Sequence, residues 1–311
     1  MIEFTLPPEL EATAPPELRG LRRDGVRLLV LDRRDGTVTH TSFDRMEKFL
    51  RPGDLLVMNA SRTVPALLRA VGDDGAPVEV RLADRRGSRR WDALLLDGRR
   101  HVGREGMRLV FADGLRARVL GRRRDLPFLW RLAFNRGGSG LLDAIYRLGE
   151  PVRYGYVAGA LPLDLYQTVY ATEPGSVEMP SAGRPLSWEM LLRLRRKGVR
   201  TASLILHTGL SSTRDDAIDA THPNYDETFE VSAETAAAIN ATHAAGGRVI
   251  AVGTTVVRAL ESVTGADGIT RPDHGRTHLR ISARTRLHAV DGLLTGMHEP
   301  QASHLDLLSA F

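Results

Sequence analysis

Cysteine is absent from all 311 residues. Disulfides, thiolate-bound zinc, iron–sulfur clusters and cysteine nucleophiles are thereby excluded. Lysine is almost absent: Lys48 and Lys197 are the only two among 43 basic residues. A skew this complete reads as a coding bias, so arginine content by itself names no partner. No apolar run approaches the roughly 18 to 20 residues of a bilayer crossing. The start Met1-Ile2-Glu3-Phe4 is acidic where a secretory signal is basic. A soluble, cytoplasmic protein without a membrane partner is expected, and a monomer. No Gly-x-Gly-x-x-Gly follows a predicted strand, and neither Gly-Lys-Ser, Gly-Lys-Thr nor His-Glu-x-x-His occurs. His274 and His278 fall in a predicted loop with Pro272 and Gly275, so no metal is expected. Chemistry is left to histidine, carboxylates, hydroxyls, arginine and the backbone.

What is present suffices for a core: 42% of the side chains are hydrophobic, enough for one large domain or two modest ones. Between Arg85 and Arg124, thirteen arginines stand against only Asp92, Asp97, Glu105 and Asp113. This one segment therefore exceeds the whole chain's net charge of +5. Such a block is the footprint of a polyanion partner, or else a solvated arginine-rich strand surface.

Short apolar runs separated by turn signals predict strands at Val26 to Leu31 and Leu55 to Met58. The same texture continues through Val78 to Leu82, Trp91 to Leu96, Met107 to Phe111 and Leu115 to Leu120. Even spacing of short strands predicts a small β-barrel over residues 65–134, carrying the arginine block. Gly137-Gly138-Ser139-Gly140 reads as a linker, followed by a helix from Leu141 to Leu148. Helices and strands then alternate. Ser187 caps a helix ended by Gly198, Thr201 to Leu206 is a strand, Ser232 starts a helix, Arg248 to Val252 is a strand and Thr255 to Val263 a helix. Alternation implies crossovers and a largely parallel sheet or barrel.

Gly253-Thr254-Thr255 lies between a predicted strand and a helix that carries Arg258 and Glu261. Free N–H groups at such a corner suit an anion, with Arg258 a turn further on. The plainer alternative is a capped helix whose Arg258 and Glu261 pair with each other. His207 closes a strand, where α/β folds place ligands, or is a satisfied core histidine. His298 with Glu299 offers a second acid–base group in a turn. Asn59-Ala60-Ser61-Arg62 sets an amide, a hydroxyl and a guanidinium at the junction with the barrel, a preferred place for a cleft.

These stretches together resemble the S-adenosylmethionine:tRNA ribosyltransferase-isomerase family of queuosine biosynthesis. The resemblance runs through Asp54 to Ala66, Leu165-Tyr166-Gln167-Thr168-Val169-Tyr170, Pro180-Ser181-Ala182-Gly183, Lys197-Gly198-Val199, Leu206-His207-Thr208-Gly209, Arg248 to Ser262, Val290 to Thr295 and Leu307 to Phe311. It implies an α/β-barrel-like main domain, residues 1–64 and 135–311, interrupted by an inserted β-barrel, residues 65–134. It implies S-adenosylmethionine as co-substrate and tRNA as partner, held through segment 85–124. The implied reaction moves the ribosyl part onto 7-aminomethyl-7-deazaguanine in tRNA, giving epoxyqueuosine with release of adenine and methionine. By motif position Gly253, Thr254, Thr255, Arg258, Asn59, Arg62, Ala182 and Gly183 bind the co-substrate. His207, His298, His222 and Glu227 are the catalytic candidates.

Several positions depart from the family pattern. Pro185 stands where a histidine is usual, Tyr225 replaces a second histidine, Leu67 an arginine, and Gly209-Leu210-Ser211-Ser212-Thr213 a Gly-x-Gly-Thr-Phe run. Two other expectations therefore stand beside the transferase: a relative acting on a small-molecule acceptor, and a catalytically silent nucleoside-binding protein.

Overall fold

The structure is a computed structural model that describes every residue except 1–3, 11, 154–156, 158, 160, 220, 222–225 and 298–302. Strands β1 (Arg27–Asp32) and β2 (Thr37–Ser42) form an antiparallel hairpin. Its turn uses Gly36 at φ 72°, a left-handed conformation that glycine adopts without a Cβ clash. Strand β3 (Leu55–Asn59) is buried at every position. Its alternation shows why: Leu55 and Val57 enter one apolar cluster, Leu56 and Met58 another. A strand covered on both faces reads as a continuous hydrophobic run.

After β4 (Ser61–Thr63) come β5 (Leu67–Gly72), β6 (Pro77–Arg85), β7 (Arg90–Asp97), β8 (Arg100–His101), β9 (Arg108–Val110), β10 (Arg116–Arg122) and β11 (Trp130–Phe134). Their ladder runs β11-β10-β9-β5-β6-β7-β8, and an extra β11–β7 pairing closes six of them into a barrel. Closure removes the exposed edges that an open sheet of this size would present. In β10 the residues alternate, Arg116 and Arg118 outward and Ala117 and Val119 inward, so the arginine block coats the outside of an apolar barrel.

Helix α1 (Gly138–Leu148) seats Leu141, Ala144 and Ile145 in the barrel's own core cluster. Gly137-Gly138-Ser139-Gly140 is thus not a linker. Gly137 is the N-cap and Gly138 begins the helix, its N–H donating to the Ser88 carbonyl at 2.9 Å. The tight fit explains the glycine: a Cβ on Gly137 would lie 2.6 Å from the Arg89 side chain.

Beyond β12 (Glu173–Ser176), which pairs with β4, the chain builds the second layer set. Helix α2 (Trp188–Arg196) leads into β13 (Arg200–Leu206), with α3 (Asp216–Asp219) in the loop before β14 (Glu227–Val231). Then follow α4 (Ala233–Ala244), β15 (Val249–Val252), α5 (Thr254–Val263), β16 (Asp273–Thr277), β17 (Gly292–Leu294) and α6 (Ser303–Leu308). Both expected caps form, Ser187 Oγ accepting from the Met190 N–H and Ser232 Oγ from the Thr235 N–H, each at 3.2 Å. The six-stranded sheet is ordered β16-β14-β13-β3-β15-β17 and is parallel across β13, β3, β15 and β17. Helix α2 covers one face of it, α4 and α5 the other. The expected loop around His274 is instead the edge strand β16, paired antiparallel with β14. Among the described residues, no helix is long and apolar enough to cross a membrane.

Candidate active site

The parallel strands β13, β3 and β15 all end at one rim of the sheet, where open α/β folds gather ligands. The residues there are His207, Asn59 and Gly253. The Asn59 side chain extends the ladder past its last backbone pairing. Its Oδ1 accepts the N–H of Leu206 and of Ser61, both at 3.0 Å, and its Nδ2 donates to the Leu206 carbonyl at 2.8 Å. The buried amide therefore locks the last residue before His207.

His207 Nδ1 lies 2.8 Å from Ser61 Oγ, which lies 2.6 Å from Ser176 Oγ; that hydroxyl also accepts the Thr208 N–H at 3.1 Å. Nε2 has no partner among the described residues. Burial of the ring, with the nearby Arg85 guanidinium, lowers the His207 pKa from its ordinary 6.5 to about 4. At neutral pH this is an uncharged imidazole with one nitrogen anchored and the other unengaged. It lines a cleft of about 370 Å³, with Arg85 and Ser88 of the barrel on one side and Gly175 and Thr228 on the other. Small-molecule sites begin at about this size.

Gly175 fits under the ring without a side chain: a Cβ there would stand 2.4 Å from His207 Cε1 and Nδ1. Gly175→Ala is expected to push the imidazole off Ser61, costing about 1 to 3 kcal/mol of stability by overpacking. Urea unfolding checks the stability and a histidine ring NMR shift checks the displacement. An unchanged ring shift would contradict this account.

The other expected site residues are placed as follows. Gly253, at φ 99°, caps α5 and leaves the first N–H groups of that helix at the rim. Thr255 Oγ1 is 3.5 Å from Asn59 Nδ2, and Thr254 is buried. A Cβ on Gly253 would stand 3.4 Å from Ala182 Cβ, so the Ala182-Gly183 turn borders this corner. Gly183 itself packs on Tyr170: a Cβ there would be 1.8 Å from the phenol oxygen. Arg62 sits on β4 between the buried Ser61 and Thr63, on the opposite strand face from them. Arg258 does not pair with Glu261. It forms an ion pair with Glu227 and donates from Nε to the Leu279 carbonyl at 2.9 Å. Glu227 in turn accepts the Gly209 N–H at 3.1 Å, while Glu261 accepts the N–H groups of His288 and Ala289. Thr255 and Arg258 do not line the His207 cleft. His222 and His298 lie outside the described residues.

Residues 1–311 match the family profile described as queuosine biosynthesis protein. The chain belongs to this family. Relatives named S-adenosylmethionine:tRNA ribosyltransferase-isomerase share 38% identity in Carboxydothermus hydrogenoformans, over 99% of this chain and 89% of that protein, and 39% in Moorella thermoacetica, over 99% and 90%. A crystal structure of S-adenosylmethionine tRNA ribosyltransferase from Thermotoga maritima superimposes with a TM-score of 0.51 at 29% identity, over 99% of this chain and 88% of that one.

For this member of the queuosine biosynthesis family, the departures noted in the sequence fall in different places. Leu67 is 2% exposed and belongs to the barrel core, so the apolar side chain there packs rather than binds. Tyr225 lies outside the described residues. Sequence reasoning overlooked Ser176, Gly175 and Glu178. The Pro174-Gly175 pair was a usable sign of close backbone approach. Glu178 accepts the Ser211 N–H at 2.7 Å, and burial, with the Glu227 charge nearby, pushes its carboxyl up to about 7. Among the described residues no group of three or more His, Asp and Glu side chains is placed to hold a metal ion.

A charged seam joins the barrel to the main sheet behind the cleft. Asp226 accepts from Arg123 of the barrel at 2.9 Å and from Arg276 of β16. Arg276 also pairs with Asp84 of β6, and Arg123 and Arg86 both reach the buried Asp92, at 3.3 and 2.7 Å.

Proposed function

We propose that this chain is an S-adenosylmethionine-dependent tRNA ribosyltransferase-isomerase. The donor is S-adenosylmethionine and the acceptor is 7-aminomethyl-7-deazaguanine in tRNA. The product is epoxyqueuosine, with adenine and methionine released. Residues 1–64 and 135–311 form the catalytic unit and 65–134 the RNA-holding unit, in a cytoplasmic monomer.

The observation that carries this reading is His207: a neutral imidazole, anchored through Nδ1, in a cleft between the two units. The C5′ hydrogens of the donor are acidified by the adjacent sulfonium, and their removal needs a base that is unprotonated at working pH. For Nε2 to accept that proton, Nδ1 must carry hydrogen and donate to Ser61 Oγ. The Ser61 hydroxyl can then donate to Ser176 Oγ, so the chain of three is self-consistent. The electron pair left on C5′ expels O4′ from C4′, and the O4′ pair in turn expels adenine from C1′, adenine taking up the abstracted proton. The acceptor amine adds at C4′ and gives up a proton, the electron pair returned to C5′ closes the carbon ring on C1′, and the C1′ oxygen displaces methionine from C5′ to form the epoxide.

The helix N-terminus at Gly253-Thr254-Thr255 suits the donor's carboxylate or hydroxyls, with Asn59 beside it and Ala182 and Gly183 as a close-fitting wall. Arg62 supplies a further cation. Glu227 and Arg258 act on position, fixing the amide of Gly209 two residues after His207. His222 and His298 remain acid–base candidates for later proton transfers.

The test is adenine release from S-adenosylmethionine, with and without tRNA bearing the aminomethyl base. Release that depends on the modified tRNA is expected. Release indifferent to RNA would move the acceptor to a small molecule, and donor binding without any release would leave only a nucleoside-binding protein.

A further inference from the structure

We propose that the outer face of β9, β10, β11 and β7 is a phosphodiester track, centred on Arg108, Arg118 and Arg90, which carries the RNA backbone to the edge of the His207 cleft. The inference rests on the reading of the chain as an RNA-modifying enzyme and names the surface that holds the RNA. Strand register supplies the first support. Arg108 stands directly opposite Arg118, Arg118 opposite Ala133, and Ala133 opposite Arg90. Directly opposed residues share a sheet face. The three arginines therefore form one transverse row, broken only by an alanine, about 14 Å long at the usual strand spacing.

The energetics of that row point outward. Like charges placed directly opposite each other on neighbouring strands are destabilising, so Arg108 against Arg118 works against the barrel's own stability. All three arginines are exposed, and none has an ion-pair partner among the described residues. Arg100, Arg104, Arg86 and Arg123 are neutralised locally by Asp97, Asp73 and the seam, whereas Arg89, Arg116, Arg124 and Arg131 resemble the row in having no ion pair among the described residues, so the uncompensated charge extends beyond its three members. Location adds the last element. Arg90 begins β7 just after the turn whose Arg85 and Ser88 line the cleft, so the unpaired row ends where the chemistry is placed. A row of forked guanidinium groups without carboxylates matches phosphate oxygens, and such contacts position a backbone without reading its sequence.

The experiment compares the full-length protein with the triple variant R90Q/R108Q/R118Q and the triple lysine variant R90K/R108K/R118K. The probe is an unmodified tRNA transcript, titrated by fluorescence anisotropy from about 50 to 300 mM KCl. Each lost phosphate contact lowers the salt slope by about 0.7 to 0.9, so the glutamine variant is expected to lose about 2 to 3 units. Its affinity at fixed salt should fall on the order of tenfold or more. The lysine variant keeps the charges and should keep most of the slope. Donor binding measured by calorimetry should be unchanged in both. Arg118→Gln alone should leave the melting temperature equal or higher, which a merely structural arginine would not. An unchanged slope in the glutamine variant, or no salt-dependent RNA binding by the parent protein, overturns the track. Salt-dependent RNA binding through the row, together with no adenine release when tRNA bearing the aminomethyl base is supplied, would instead sink the enzymatic reading and leave the track standing.

Discussion

Replacing His207 by glutamine is expected to slow adenine release by about 10²- to 10⁴-fold while donor affinity changes by no more than a few-fold. The side chain keeps a polar head of similar reach but loses the nitrogen that accepts a proton. Ser61→Ala should lower turnover less, because it removes the partner that orients the ring and leaves the base in place. The pH dependence separates this role from general damage. Since the folded pKa lies near 4, the imidazole stays neutral well below its ordinary titration range. The acid limb of kcat/KM assigned to this group is therefore expected near pH 4 to 5, not near 6.5, and should vanish in the glutamine variant. Stability follows with a definite sign. Between the unfolded value of 6.5 and the folded value of about 4, the unfolded chain binds a proton that the folded chain does not. The contribution is complete above pH 6.5 and is lost as pH falls toward 4. The variant should show a shallower decline over that window. A His207→Gln protein with unaltered turnover would remove the proposed base.

Asp226→Ala is expected to be the most destabilising single change in the seam, by about 3 to 5 kcal/mol in urea unfolding. Its carboxylate accepts from Arg123 and Arg276 at once, and the Arg123 side chain is only 7% exposed. Truncation would remove the carboxylate that lies between the two guanidinium groups, leaving Arg276 with Asp84 and Arg123 with Asp92 and Asp125. The cost lies in the charge-assisted hydrogen bonds lost and in the repulsion no longer offset between the two guanidinium groups, so replacing the whole group by apolar residues would be milder. Burial opposes ionisation of Asp226, but the hydrogen bonds from Arg276 and Arg123 outweigh it and hold the carboxyl well below the usual carboxylate range. Folded-state ionisation is thus favoured. This part of the stability is present above the unfolded pKa near 3.9 and is lost as pH falls through the lower folded value. Because Asp226 also borders the crevice beside His207 and Gly209, turnover should fall at temperatures where the variant is still folded. A cost below about 1 kcal/mol would mean that the barrel is held mainly by its apolar contacts.

The elements read directly from sequence share a physical cause. Leu55 to Met58, Trp91 to Leu96 and Arg248 to Val252 announce themselves because strand periodicity and flanking turn residues are local properties. Ser187 and Ser232 announce their helices because a cap acts within three residues. What escaped depends on partners far along the chain. Asp273 to Thr277 has no apolar pattern and is a strand only because β14 offers it a ladder. Gly137 to Gly140 looks like a flexible connection but starts a helix, since the Ser88 carbonyl and the Arg89 side chain dictate its backbone. Arg258 and Glu261 sit at pairing distance within one helix, yet each is taken by a group from another element.

By itself the sequence determined the family, the alternation of barrel and α/β segments, and the concentration of charge on one stretch, because composition, period and motif order survive without coordinates. Tertiary structure alone decided which groups meet at His207. Ser61 stands 115 residues from Ser176 and 146 from His207, and no local signal couples groups so far apart. Only the parallel register of β3 with β13, and of β4 with β12, brings the hydroxyls to the ring, and only packing against the barrel strips enough water from the imidazole to keep it neutral.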